Sequence, residues 1–180
     1  VDHQNLLAAR SGDRAALATL LRALQDSWFR FCLALLRNAD QARDATQETG
    51  LRFIRTFGTF RGDSQLQTWS LGIALNVVRE MRRKNRPLPD EGHAFREAVR
   101  SEAECPSEAV ALSEQRARLH AVLDDLPERQ REAVVLRFFE ELSVEDTARA
   151  MDCAEGTVKA TVHQALRSLR SKLTERPVKK

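Results

Sequence analysis

The sequence predicts an all-α protein built as two small helical domains. These are an N-terminal helical bundle and a C-terminal helix-turn-helix domain, joined by a flexible acidic linker. Three observations point there. Apolar residues recur at three- and four-residue steps over long stretches, the period of a half-buried helix. Gly and Pro number only 7 and 5 in 180 residues, too few for the many turns of an all-β chain. Residues 87–110 interrupt the pattern with Pro87, Pro89 and Pro106 and with six acids against two arginines. That stretch has no apolar period, so it reads as the linker between a domain at 1–86 and a second at 111–176. At 42% apolar residues the chain has enough material for real cores, which excludes wholesale disorder. No apolar run approaches the roughly 18 residues that span a bilayer, and no leader pattern opens the chain. No membrane insertion and a cytoplasmic location are therefore expected. The net charge is only +3, so any nucleic-acid surface has to come from local clustering.

The elements follow in order. From Asp13 to residue 36, Leu17, Leu20, Leu21, Leu24, Trp28, Phe31, Cys32, Leu35 and Leu36 lie on one helix face. Asp40 is the expected cap of a second helix, with Ala45, Thr49, Phe53, Ile54 and Phe57 inward. Residues 58–64 (GTFRGDS) have loop composition. A third helix over 65–85 places Trp69, Ile73, Val77 and Met81 on its stripe. Beyond the linker, Leu112, Leu119, Val122 and Leu123 mark a helix. Pro127 suits the first turn of the next, whose apolar face is Val134, Val135, Phe138 and Phe139. Ser143 and Asp146 have the spacing of a helix-opening box. A short helix to Met151, a tight turn at Asp152 and Cys153, and a long helix over 154–173 complete a helix-turn-helix. In that last helix Val158, Val162, Ala165, Leu166, Leu169 and Leu173 form the buried stripe.

Four groups of residues invite a function. The exposed side of the last helix offers Thr157, Lys159, Ala160, Thr161, His163, Gln164 and Arg167, placed for base edges and phosphates of a major groove. After Gly156 the chain carries seven basic residues against one acid. Arg79, Arg82, Arg83, Lys84 and Arg86 put five bases into eight residues, more than a helix C-terminus needs for its dipole, so phosphate contact is expected. Arg61, Gly62, Asp63 and Ser64, bracketed by Phe57, Phe60 and Trp69, could hold an unstacked base, although Trp69 also fits the core. Asp40, Asp44, Gln47 and Glu48 share a polar face that by itself is an ordinary solvated one. No Walker, GxGxxG, HExxH or GxSxG signature is present, so no enzyme activity and no cofactor are expected. His3, His93, His120 and His163 do not pair at ligand spacing, and Cys32, Cys105 and Cys153 are few and scattered, so no metal site is expected.

Two segments carry a resemblance. Residues 40–86 (DQARDATQETGLRFIRTFGTFRGDSQLQTWSLGIALNVVREMRRKNR) resemble region 2 of bacterial extracytoplasmic-function (ECF) sigma factors of the sigma-70 family. Residues 126–173 (LPERQREAVVLRFFEELSVEDTARAMDCAEGTVKATVHQALRSLRSKL) resemble their region 4. The resemblance implies a dissociable promoter-specificity subunit of RNA polymerase. Asp40, Asp44, Gln47 and Glu48 then match the motif presented to the β′ clamp helices. Residues 60–64 match the loop that captures a flipped base of the −10 element, and Trp69, Asn76, Arg79, Arg82 and Arg83 match the helix that helps melt it. Residues 126–139 match the part that docks on the β-flap, and the last helix matches the reader of the −35 element. The family commonly pairs with an anti-sigma factor, and the acidic linker resembles the segment threaded through the RNA exit path.

The chain departs from the family pattern in places. Gly50 stands where Phe is usual, Ser70 and Gly72 replace Leu and Arg, and Thr161 and Gln164 occupy positions usually held by Arg. Two other readings of the residues stay open. One is a two-domain DNA-binding regulator that works without polymerase. The other is a module that sequesters other regulators.

Overall fold

The computed structural model describes residues 3–85 and 123–175, and among them it is helical with no strand. The helices are α1 (His3–Arg10), α2 (Arg14–Leu36), α3 (Ala39–Thr56), α4 (Leu66–Lys84), α5 (Glu128–Val134), α6 (Val144–Met151) and α7 (Glu155–Glu175). A short 3₁₀ turn, Phe57–Thr59, follows α3, and a π-helical turn, Val135–Phe139, extends α5. Arg86, the 87–110 linker, the expected helix of Leu112, Leu119 and Val122, His93, Cys105, His120 and the last five residues lie outside the described residues.

Local chemistry sets the helix ends. The Asp13 carboxylate caps α2 by accepting from the Ala15 and Ala16 N–H groups at 2.8 and 3.2 Å. Asn38, not Asp40, caps α3, its amide oxygen accepting from the Gln41 N–H at 2.9 Å. Asp40 sits in the first turn, exposed and paired with Arg43. Ser143 caps α6 through the Asp146 N–H at 2.9 Å, as its spacing predicts. Asp152 closes α6 in the left-handed conformation (φ 52°), which a short polar side chain tolerates. Pro127 precedes α5 as its cap rather than opening its first turn. The helix α1 has no counterpart in the sequence reading; it packs on α2 through Ala9.

The helices α2, α3 and α4 pack around Trp28, Phe31, Phe53, Leu71 and Leu75, all essentially without solvent contact. Trp28, Phe53, Phe57, Trp69 and Phe60 form a chain of tilted ring contacts with centroids 5.2–5.6 Å apart. The Trp28 indole N–H donates to the Ser70 hydroxyl at 3.0 Å, so the departure to serine at position 70 supplies a buried acceptor. Phe53 takes the inward position of its turn, which leaves Ile54 47% exposed rather than buried.

The C-terminal half has its own core of Leu123, Leu126, Val134, Ala165 and Leu169. It is nevertheless not held apart from the first half. Ala133, Val135, Leu136, Leu142, Ala150 and Met151 join the apolar core of α2 to α4. The π turn explains two misplaced aromatics. Its wider winding swings Val135 and Leu136 into the core and leaves Phe138 and Phe139 exposed, contrary to the α-helical arithmetic. Leu166 is exposed as well, because Ala165 and Leu169 fill the seam against α5. On α4, Trp69, Ile73 and Met81 are only partly buried, since the helix is covered on two sides at once.

The Ser70 acceptor gives a stability test. Ser70→Ala strands a buried indole N–H and should lower the unfolding free energy by about 1–3 kcal/mol, read from urea melts. In a Trp28→Phe background the same change should cost far less.

Candidate nucleic-acid and partner interfaces

Helix α4 organises the first surface. Thr68, Gly72, Leu75, Arg79 and Arg82 follow one another at four- and three-residue steps, so they share a face. That face meets the C-terminal half. Arg79 donates to Glu132 as a fork, Nε to Oε1 at 3.0 Å and Nη2 to Oε2 at 2.7 Å. The Glu132 side chain is 1% exposed. Its hydrogen bonds hold the Arg79 guanidinium more firmly protonated than usual. Arg82 reaches Glu128 at 3.0 Å and also donates to the Leu35 carbonyl. Arg83 and Asn76 are exposed on the flank. Between α4 and α5 lies a cleft of about 860 Å³ whose walls include Asn76, Arg79, Arg83, Glu128, Arg129 and Glu132.

The loop before α4 is shaped by Gly62, whose φ of +87° only glycine adopts without strain. Arg61, Gly62 and Asp63 are exposed and Ser64 partly so. Phe60 is 4% exposed and stacks on the half-buried Trp69 at 5.2 Å, so these two rings form the floor of the loop. From α6, Arg149 donates to the Asp63 carbonyl at 2.6 Å.

The second surface is on α3. Asp40, Asp44 and Gln47 are exposed, and Glu48 is half-exposed beside Arg52 at 2.7 Å. Arg52 also grips Glu80 of α4 through two 2.7 Å hydrogen bonds, tying the two helices together. These bonds push the Glu80 carboxyl below its usual range. The sequence reading missed Leu51 and Ile54 here, which are 49% and 47% exposed. The steps 40, 44, 47, 51 and 54 are the available signal: they continue the acidic stripe with two apolar residues.

The third surface is α7. Thr157, Lys159, Ala160, His163, Gln164 and Arg167 are exposed and Thr161 is half-exposed, while Val158 and Ala165 anchor the opposite side. The turn from α6 to α7 and the packing between them give the geometry of a helix-turn-helix. Among the described residues no group of His, Cys, Asp and Glu could hold a metal ion, and no helix is long and apolar enough to cross a membrane.

This architecture has known counterparts. Residues 20–87 match the family "Sigma-70 region 2" and residues 116–169 match "Sigma-70, region 4". The RNA polymerase sigma-H factor of Pseudomonas aeruginosa is 32% identical over 91% of this chain and 89% of its own length. The ECF RNA polymerase sigma factor EcfG of Rhodopseudomonas palustris is 35% identical over 80% of this chain and 75% of its own. The chain belongs to the ECF sigma factors. It is an RNA polymerase sigma factor of the sigma-70 family, a subunit of transcription initiation. Among solved structures the sigma factor resembles RpoE of Bartonella quintana, crystallised with the anti-sigma factor NepR. That match has a TM-score of 0.69 and 27% identity and covers 91% of this chain and 98% of that one. It shares its fold with CnrH, solved with the cytosolic domain of CnrY, with a TM-score of 0.73, 19% identity and coverage of 98% and 99%.

One buried acid at the seam gives a pH test. Glu140, at the end of the π turn, accepts from the Ser27 hydroxyl of α2 at 2.9 Å, with Gln67 and Arg30 also facing it. Burial raises its carboxyl above the usual range against these contacts. The folded protein therefore binds this proton more tightly than the unfolded chain, and the stability from this group falls as pH rises through the window between the two values. Glu140→Gln keeps an acceptor for Ser27 and removes the charge. Its thermal midpoint should equal or exceed the parent's at neutral pH, and the fall in midpoint from mildly acidic to neutral pH should shrink.

Proposed function

We propose that this sigma factor, in the cytoplasm, docks on core RNA polymerase through α3 and the α5 region and reads two promoter elements, one with each half of the chain. The domain at 1–86 handles the −10 element, the domain at 111–176 handles the −35 element, and the acidic segment 87–110 joins them through the RNA exit path. The carrying observation is the exposed α3 stripe, where Asp40, Asp44, Gln47 and Glu48 alternate with solvent-facing Leu51 and Ile54. Acids set the approach to a basic partner, while two apolar side chains supply desolvated contact area. The β′ clamp helices are the partner this stripe fits. Phe138 and Phe139, exposed beside α5, supply the equivalent apolar contact for the β-flap.

Promoter contact divides among the other surfaces. Thr157, Lys159, Ala160, Thr161, His163, Gln164 and Arg167 of α7 face the −35 groove. Thr161 and Gln164 lack the charge of arginine, so phosphate affinity there is lower and base preference is this chain's own. The 60–64 loop, with Phe60 and Trp69 as its apolar floor, receives an unstacked −10 base. Asn76, Arg79, Arg82 and Arg83 follow the same strand's phosphates. Energy for opening comes from base capture, with no nucleotide hydrolysed. The Bartonella neighbour, solved with its anti-sigma factor, supports an anti-sigma factor as a further partner.

Retention on immobilised core RNA polymerase tests this. The parent should be retained, and Asp44→Arg combined with Leu51→Asp should reduce retention by at least tenfold. A stand-alone DNA-binding regulator would not be retained, and equal retention of the variant would remove α3 from the interface.

A further inference from the structure

The α4 face that carries Arg79 and Arg82 has two claimants. In the reading above it follows the phosphates of an opened strand. In the structure it is covered by α5 and α6 of the same chain, with Glu132 and Glu128 on its two arginines. A guanidinium fork takes a carboxylate and a phosphate in the same two-pronged way, so each carboxylate occupies a phosphate's place. The −10 loop is tied into the same contact by the Arg149 bond to the Asp63 carbonyl.

The contact depends on a glycine. A Cβ on Gly72 would lie 3.5 Å from the Ala150 carbonyl oxygen and 3.6 Å from its Cα, so α4 and α6 meet backbone to backbone. Alanine fits there at ordinary contact distance. A longer side chain has only backbone to push against, and α6 has to move. This explains physically why the departure at position 72 is to glycine: the large basic side chain usual at this position would hold the halves apart.

We propose that the sigma factor is self-occluded: its C-terminal domain closes on the −10 face of α4, and promoter DNA and closure compete for Arg79 and Arg82. The inference rests on the reading of α4 as a DNA-contacting helix. Apparent DNA affinity is then lowered by the fraction of chains that are closed, and any change that opens the seam raises it.

The test uses the full chain without polymerase. It measures the radius of gyration by small-angle X-ray scattering and the affinity for a fluorescent, mixed-sequence single-stranded oligonucleotide at low salt. Gly72→Leu should enlarge the radius and tighten binding roughly five- to tenfold, and Gly72→Ala should behave as the parent. Adding Arg79→Ala to Gly72→Leu should cancel the gain, which an unfolded or non-specifically sticky chain would not show. Should circular dichroism find Gly72→Leu misfolded, the paired change Glu128→Gln with Glu132→Gln decides, with the same direction expected. An enlarged chain with unchanged affinity, or a radius and affinity both unchanged, overturns the proposal. Core-polymerase retention is scored separately: its loss in parent and variants alike would sink the functional reading, not the competition for α4.

Discussion

A carboxylate with almost no solvent around it has to be answered by a cation, and Glu132 is answered by Arg79 from the other half of the chain. Taking both charges out of water costs several kcal/mol per ion, and the forked geometry with two short hydrogen bonds is what offsets it. Removing one partner would leave the other buried and unpaired, so the two halves are bound to a common fate at this point. The apolar seam through Ala133, Val135, Leu136 and Ala150 supplies the area, but it is non-directional. The ion pair fixes where along α4 the C-terminal half sits. The backbone contact at Gly72 fixes how close it comes.

Much of the N-terminal bundle was legible because its burial follows a single helical period. Leu20, Leu24, Trp28, Phe31, Cys32 and Leu35 are buried as their spacing requires. Legibility fails where that simple geometry does. The π turn breaks the 100° arithmetic, so Phe138 and Phe139 face outward. Ile54 yields its place to Phe53 one residue away. Asn38 and Asp40 are both competent caps, and only the start of the helix chooses between them. Helix α4 is the deepest case, because its second buried face exists only through a neighbour more than 45 residues further along the chain. The complementary spacing of Arg79 and Arg82 with Glu132 and Glu128 was present in the sequence, but nothing local says that those turns meet.

The surfaces divide by how they read. The α7 residues were recoverable because a helix-turn-helix has local signals at every step: the Ser143 cap, the αL turn at Asp152 and the anchoring Val158. The α3 stripe looked like a solvated face until Leu51 and Ile54 were found exposed on it, since apolar residues facing water are what distinguish a docking stripe from an ordinary one. Buried Cys32, by contrast, is a packing residue. Burial pushes its thiol up to about 12, which removes the thiolate that redox or metal chemistry would need.

Taken together, the fold gives one helix two roles that exclude each other in time. Its Arg79 face is either the seam that joins the halves or a surface offered to a strand. The most direct measurement is the distance between spin labels at Asn76 and Arg129, which face each other across the α4–α5 cleft, placed in a chain whose native cysteines are replaced. The account predicts one short, narrow distance in the free protein that is lost when core RNA polymerase is added. The same short distance with and without polymerase would contradict it.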